Sequence, residues 1–416
     1  MKLIIKDLPS KTTNLKLTSV FLLGLLTSFN ALANPIFQGE YFTQSDAVLV
    51  TDQSGEVIYQ WKADTGLIPA SLTKLVTSYL AIEKWGIGHR FKTEFYLNGD
   101  QLWVKGYGDP YLISEELDLL VKKLKPLLPG KLNSIHIDSS YFKQELAPGS
   151  SKVNDPYNAP VSAVAANFNT VMLQRINGQI VSAEAQTPLT KTSLRVGEKL
   201  VSKIGIKPKR INLQNAGTAQ LYFAELLLKK LALTNLIIKI NQPLPDNAEL
   251  IYHHLSSYDL GGILQGALKY SNNFIANQLF ILLSARDGFD QLDFANAETV
   301  AKTKLSKVFD ANSFSIVDGA GLSRDNQFSA KQLDLILTRL QPHKSLFKRY
   351  KLANSTVKVL AKTGTLNNVH CFAGFLEVDG NQYQFIFMFN RSMPNDYRVN
   401  LLQRLAKQLA IPDQVK

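Results

Sequence analysis

Strand-type alternation stands at both ends of this 416-residue chain, with a long stretch of different character between. Near the start, "AVLVTD", a Gln53-Ser54-Gly55 turn and "EVIYQW" read as a β-hairpin. Near the end, "TVKVLAKTG", "CFAGFLEV", an Asp379-Gly380 turn and "QYQFIFMF" alternate in the same way. They lead into an amphipathic helix carrying Leu401, Leu402, Leu405 and Leu409. Helical periodicity follows the first hairpin at residues 69–82. It returns near Ser256, whose S-x-x-D spacing resembles a cap, in "LGGILQGALKY" and "FIANQLFILLSA". From about Phe91 short strands and turns take over, interrupted by one short helix, "SEELDLLVKKLKPL", with Ser114 as its cap. No repeat of 20–50 residues is visible. Two ends of matching character around a foreign middle predict one discontinuous α/β domain, residues 34–90 and 251–416, holding a β-rich insertion at 91–250.

The first 33 residues stand apart. Lys2, Lys6, Lys11 and Lys16 precede the apolar run "SVFLLGLL", and Ala31 and Ala33 form an A-x-A pattern before Asn34. This reads as a secretory signal, residues 1–33, too short to span a bilayer comfortably, and it predicts a periplasmic or secreted mature protein. Cys371 is the single cysteine, so an exported chain has no internal disulfide and its core must suffice; the strand-like setting of Cys371 predicts a core position. Net charge is +12, of which the signal segment accounts for +3. Basic residues cluster in "VKKLKPLLPGK" and "KIGIKPKR". Export and the lack of any nucleic-acid motif argue against nucleic acid, and peripheral association with an anionic envelope surface fits better.

"PASLTKLVTSYLAI" raises a local puzzle. Leu72, Leu75, Val76, Tyr79 and Ile82 recur at helical period, yet Ser71 and Lys74 sit at the helix start. A capping box asks for Glu or Gln three residues after the serine, and a cation in the first turn opposes the helix dipole. S-x-x-K occurs four times, from Ser71, Ser140, Ser345 and Ser355, but only the first opens a strong helical pattern. Residues three apart on a helix lie about 5–6 Å apart at Cβ. Ser71 and Lys74 therefore share a face, turned from the apolar stripe.

Two further clusters join them. "YSNNF" places Ser271-Asn272-Asn273 at a break between helical segments, and "AKTG" places Lys362-Thr363-Gly364 at a strand end. Taken singly, these are a helix–helix turn and a strand-terminal glycine. Taken in order, on helix start, interhelical loop and strand, they match the S-x-x-K, S-x-N, K-T-G set of penicillin-interacting serine acyl transferases. The chain resembles the D-alanyl-D-alanine carboxypeptidase/endopeptidase family, the class C low-molecular-mass penicillin-binding proteins of the penicillin-binding protein 4 type (peptidase family S13). "GYGDPYL", "APVSAVAANFNTVML", "YSNNFIANQLF", "DGAGLSRDN" and "AKTGTLNNVHCFAGF" carry the likeness across most of the mature chain.

The resemblance implies an antiparallel sheet flanked by helices, of the serine β-lactamase/D,D-peptidase type, with the insertion such enzymes carry. It implies acyl transfer at a D-Ala-D-Ala bond of peptidoglycan stem peptides, with β-lactams as covalent inhibitors and no metal or other cofactor. Ser71 is then the nucleophile, Lys74 its base, and Ser271 the relay of a proton to the leaving amine. Asn273 would hydrogen-bond the peptide, and Lys362 and Thr363 the terminal carboxylate. Gly364 would admit substrate along the strand, and Ser71 and Thr365 N–H groups would form the oxyanion hole. Arg324 and Asp155 are candidate readers of the charged diamino acid of the stem. A lysine base needs its pKa brought from about 10.4 toward about 7, roughly 4–5 kcal/mol. The helix dipole supplies only about 0.3–1 kcal/mol. Burial and a second cation, Lys362, are expected to supply the remainder.

Three rivals make different demands. A serine β-lactamase needs an efficient deacylation base, and no convincing one is present. A zinc D,D-peptidase needs a metal-binding pattern, and "SIHIDSS" and "YHHL" lack H-E-x-x-H. A non-catalytic penicillin-recognition protein has no need of intact motifs. Oligomeric state leaves no mark in the sequence.

Overall fold

The computed structural model describes residues 36–411 apart from 143–144, 152, 286–291, 311, 354–355 and 395, so the signal segment lies outside the described residues. β1 (Asp46–Asp52) and β2 (Val57–Trp61) form the first hairpin. The Asp52 carboxylate closes its turn by accepting from the N–H groups of Ser54 and Glu56, at 2.8 and 2.9 Å. α1 (Thr73–Trp85) follows. The middle contains β3 (Lys92–Asn98), β4 (Gln101–Gly106), α2 (Ser114–Leu124), β5 (Ser134–Asp138), β6 (Thr170–Ile176) and β7 (Gln179–Ser182). It continues through α3 (Lys191–Lys199), β8 (Lys209–Asn212), α4 (Ala216–Leu231), β9 (Ile237–Lys239) and β10 (Glu249–Leu255). The last part runs α5 (Leu260–Lys269), α6 (Asn273–Leu282), α7 (Phe294–Leu305), α8 (Ala330–Leu340), β11 (Lys348–Tyr350), β12 (Lys358–Leu366), β13 (Val369–Val378), β14 (Asn381–Phe389) and α9 (Tyr397–Leu409).

The two ends meet as one sheet. Its order is β11-β12-β13-β14-β1-β2, with every pair antiparallel. β1 lies against β14 along its whole length, from Asp46↔Phe389 to Asp52↔Tyr383. Asp379 and Gly380, both at positive φ, make the tight β13–β14 turn. Alternation along β13 decides which core each residue enters. Cys371, Ala373 and Phe375 face α1, α5, α6 and α8, whereas Phe372, Leu376 and Val378 face α9. Each fully buried Leu or Phe adds about 1.5–3 kcal/mol. The α9 stripe Leu401, Leu402, Leu405 and Leu409 is buried as its spacing requires. Cys371 is a core residue, and burial pushes its thiol up to about 12.

The middle is less purely β than its sequence suggests. Among the described residues it holds a five-stranded mixed sheet, β10-β3-β4-β5-β9, and a three-stranded sheet, β7-β6-β8, but also three α-helices rather than one. α4 is the largest, capped by Asn215 and burying Tyr222, Phe223, Leu226, Leu227 and Leu231. Two caps also differ from expectation. Ser114 lies one residue inside α2 and places its hydroxyl 2.6 Å from Thr187 Oγ1. Asp259, not Ser256, caps α5, accepting from Gly262 N at 2.9 Å. The histidines of "YHHL" lie on β10, where His254 stands 3.0 Å from Glu116 and His253 3.4 Å from Glu94. Among the described residues no helix is long and apolar enough to cross a membrane.

Candidate active site

Ser71 lies in a 3-10 turn, Ala70–Leu72, that leads into α1. Its hydroxyl caps nothing, which leaves it available. Ala70 just before it has φ +47, a strained conformation for a residue with a Cβ. The strain is enforced from two sides. A Cβ on Gly321 (φ +78) would lie 1.9 Å from Ala70 O, and one on Gly364 would lie 2.6 Å from Pro69 O and 3.1 Å from Ser71 N. Both positions need glycine because backbone approaches the Ser71 turn so closely.

Lys74 is fully buried in the first turn of α1. Its Nζ lies 2.7 Å from Asn273 Oδ1, 2.7 Å from Ala320 O and 3.1 Å from Ser71 Oγ. The first two partners are acceptors only. A neutral amine that donates to both therefore has its lone pair left for the Ser71 hydroxyl. Burial lowers the Lys74 pKa from 10.5 to about 7, opposed by the charge of Asp318. Lys362, on β12, is also buried; its Nζ donates to Ser271 Oγ at 2.9 Å and to Thr363 O at 2.5 Å. Burial holds its pKa well below the ordinary value, and repulsion from Lys74, Arg398 and Lys348 adds to this. Desolvation is the main cause of the Lys74 shift, the Lys74–Lys362 repulsion is shared by the pair, and Asp318, a buried carboxylate, supports positive charge on Lys74.

Ser271 and Asn273 come from the α5–α6 junction. The middle residue of the motif, Asn272, caps α6 by accepting from Ile275 N at 3.2 Å. Ser271, at φ +56, and Asn273 are thereby turned into the site. Asn273 bridges, with Oδ1 on Lys74 and Nδ2 donating to Tyr157 O at 3.1 Å. β11 pairs only with Val359–Ala361, so beyond Ala361 the K-T-G-T stretch of β12 has no strand neighbour on that side among the described residues. An unpaired edge can accept an extended peptide as an added strand. Thr363 is half-buried and Thr365 exposed.

Ser71, Lys74, Ser271, Asn273 and Lys362 form one connected cluster, with Gly364 packed against its Ser71 turn. Arg324 and Asp155 stand apart from these contacts. Arg324 donates to Asn367 O at 2.6 Å, two residues past Thr365. The Asp155 carboxylate accepts from Tyr157 OH at 2.9 Å, and Tyr157 O in turn accepts from Asn273.

Sequence reasoning missed the loop that supplies Ala320. Asp318, fully buried, accepts from the N–H groups of Ala320, Gly321, Leu322 and Ser323 and from Asn326 Nδ2, at 2.6–3.2 Å. Gly319 is tied at both ends, its N–H to Asn277 Oδ1 and its carbonyl to Thr77 Oγ1. The signal was present in "DGAGLSRDN", where Asp and Asn flank small residues able to turn. Arg398 was missed as well; it comes from α9 and donates to β12 and β13.

A serine beside a lysine that is half neutral near pH 7, a second buried lysine holding a second serine, and an open strand edge together make a site for acyl transfer on a mixed α/β scaffold. The sequence model of the D-Ala-D-Ala carboxypeptidase 3 (S13) family matches residues 30–195 and 204–352, and the chain belongs to that family. Lys362-Thr363-Gly364 lies beyond the matched residues, and its membership of the site rests on the contacts above. The D-alanyl-D-alanine carboxypeptidase DacB of Haemophilus influenzae is 24% identical over 401 residues, 80% of this chain and 83% of that protein. The D-alanyl-D-alanine carboxypeptidase of Actinomadura sp. (strain R39) is 32% identical over 123 residues, 27% of this chain but only 22% of that protein. Among solved structures, penicillin binding protein 4 (dacB) from H. influenzae superposes with a TM-score of 0.69 at 20% identity, over 88% of this chain and 96% of that one. A predatory endopeptidase from Bdellovibrio bacteriovorus gives 0.51 at 18% identity, over 88% and 92%. These last two likenesses concern the fold.

Proposed function

We propose that this family member is a serine D,D-carboxypeptidase or D,D-endopeptidase that opens D-Ala bonds of peptidoglycan stem peptides through an ester on Ser71. The Ser71 hydroxyl gives its proton to neutral Lys74 as Oγ attacks the penultimate D-Ala carbonyl. The oxyanion that forms is held by the backbone N–H groups of Ser71 and Thr365; one such donor is worth about 2.7–4 kcal/mol. The C–N bond breaks as the leaving amine takes a proton through Ser271, whose hydroxyl is positioned by Lys362. Water then attacks the ester and releases Ser71. Lys362 and Thr363 hold the terminal carboxylate, and Gly364 lets substrate lie along the edge of β12. The observation that carries this reading is the Lys74 amine, fixed by two pure acceptors so that its remaining position faces Ser71 Oγ.

β-Lactams would acylate the same serine; a solved H. influenzae relative of similar fold is described as complexed with a β-lactam. Arg324 and Asp155, at the rim, would read the diamino acid of the stem. Residues 34–90 and 251–416 would be the catalytic domain and 91–250 the insertion that contributes Tyr157 to the site. Export to the periplasm or beyond fits the A-x-A segment, and the basic mature chain fits an anionic envelope surface.

Mass spectrometry of purified sacculus fragments after incubation tests the reading. Loss of D-Ala from pentapeptides marks a carboxypeptidase, and opening of cross-linked dimers an endopeptidase. Neither product, with a folded protein, sinks the proposal.

A further inference from the structure

Residues 157–169 run from the inserted region along the first turns of α6, the helix whose start carries Asn273. They touch it through Tyr157, Ser162 and Phe168. Tyr157 O accepts from Asn273 Nδ2 at 3.1 Å. Ser162 pairs through its backbone with the buried Gln278 amide, its N–H donating to Oε1 at 3.2 Å and its carbonyl accepting from Nε2 at 2.7 Å. The Phe168 ring stands 6.2 Å from that of Phe274, edge to face, beside the buried Ala159 and Ala165. Phe274 and Gln278 are four residues apart and share one face of α6. On its other side Phe168 meets Tyr111, ring centroids 5.5 Å apart. Tyr111 in turn lies against α5, where a Cβ on Gly266 would come within 2.9 Å of its ring. Phe168 therefore spans the two helices that flank Ser271.

The ring is held there against backbone preference. Asn167, Phe168 and Asn169 have φ +50, +61 and +52, and among the described residues no other three consecutive residues lie in the left-handed region. Asparagine tolerates this conformation, but a bulky residue keeps it only where its surroundings enforce it. The enforcement comes from the neighbours on either side. Asn167 is buried, accepts from Ser114 N at 2.8 Å and donates to Ser114 Oγ and Tyr222 OH, both at 2.9 Å. Asn169 is buried as well and donates to Pro160 O at 2.9 Å and Ser162 Oγ at 3.1 Å. Its carbonyl accepts from Leu213 N at 2.9 Å. The flanking residues thus anchor the turn to α2 and α4, while the middle side chain reaches toward α5 and α6. Glycine at position 168 would relieve the strain. What it would remove is the ring.

We infer that Phe168 is a positioning residue for acyl transfer: from its strained turn it fixes the α5–α6 junction, and through that junction Ser271 and Asn273, against Lys74 and Lys362. The inference rests on the acyl-transfer reading of the site and gives the inserted region a part in it. Asn273 is the link, because its amide is held by Tyr157 O on one side and holds Lys74 Nζ at 2.7 Å on the other. A shift in the first turn of α6 would disturb that bond and the 2.9 Å bond from Lys362 Nζ to Ser271 Oγ together. Proton transfer at Ser71 depends on both distances. Noncovalent binding of an acylating ligand depends on them far less, so loss of the ring should act on rate rather than on affinity.

Stopped-flow acylation of the full chain by a chromogenic β-lactam tests this. The limiting rate and the half-saturation concentration are separated, and the rate is expressed per active site counted by titration. Phe168→Gly keeps the turn and removes the ring. It should lower the limiting rate about 10- to 100-fold and change half-saturation by less than about 3-fold. Phe168→Leu, which restores an apolar contact with Phe274, should recover most of the rate. A merely structural role would reduce the number of titratable sites and leave the rate per site unchanged; that result overturns the inference. So does a Phe168→Gly protein whose loss lies in half-saturation alone, or a Phe168→Leu protein as slow as Phe168→Gly. Should Phe168→Gly fail to fold, Phe168→Asn, which also tolerates the left-handed turn, decides by the same criteria. A wild type that is acylated and a variant that matches it refute the Phe168 role alone. A folded wild type that is never acylated refutes the acyl-transfer reading and the Phe168 role with it.

Discussion

At the scale of single residues, two lysines are held where a cation is unwelcome, and this has consequences for both rate and stability. The base must be neutral to act, so acylation of Ser71 should rise with pH through an apparent pKa near 7, that of Lys74 in the free protein. Stopped-flow acylation by a chromogenic β-lactam from pH 5 to 9 reads this directly. A flat profile down to pH 5, or a midpoint near 10, excludes Lys74 as the base. The same shift tilts stability. The folded-state pKa of about 7 lies below the unfolded value near 10.5, so the unfolded chain binds more protons between those limits. Folding stability should therefore rise with pH across that window, by about 4–5 kcal/mol from Lys74 alone. Lys74→Met should flatten this rise in urea titrations while lowering acylation by at least about 10³-fold. Asp318 acts in the opposite sense on Lys74. Asp318→Asn removes a negative charge beside the amine, so the ascending limb should move to lower pH. It also breaks charge-assisted bonds worth about 1.5–3 kcal/mol each, giving a clear drop in urea midpoint. An unchanged limb in a folded Asp318→Asn protein contradicts the charge assignment.

At the scale of elements, three pieces of chain meet at the Ser71 turn without room to spare. The 3-10 turn before α1, the Gly321 loop and β12 approach one another through backbone, and glycine is what permits it. Gly364→Ala should push β12 from Ser71 and cost about 10- to 100-fold in kcat/KM, since displacements near 1 Å at reacting atoms have that effect. Intact global stability in thermal melts would accompany it if the effect is local. An active Gly364→Ala would mean the strand can move away freely. The elements themselves were largely readable from the sequence. The two hairpins, the helix after Ser71, the K-T-G strand and the α9 stripe all carry local periodicity strong enough to survive into the fold. What was not readable depends on distant partners. Ser114 and Ser256 look like caps, but Ser114 is engaged by Thr187 and α5 begins four residues after Ser256, with Asp259 in the cap position. α4 escaped notice because it lies in a stretch otherwise rich in turns and strands, although its Asn215 cap and the run "LYFAELLLKKL" are present.

At the scale of the whole molecule, the sheet explains how clusters at 71–74, 271–273 and 362–365 become one site. Pairing of β1 with β14 joins the two ends, placing α1, α6 and β12 side by side, and the inserted region reaches the site through the Tyr157 carbonyl on Asn273. Motif order foretold that convergence. It did not foretell Asp318 or Arg398, because neither belongs to a spaced motif and each acts through contacts that only the folded chain creates. The central claim is that Ser71 alone forms the acyl bond. Peptide mapping by mass spectrometry after exposure to penicillin tests it most directly. The expected result is one adduct per chain, on the peptide containing Ser71, absent from Ser71→Ala. An adduct on another residue, or none on a folded wild-type protein, contradicts it.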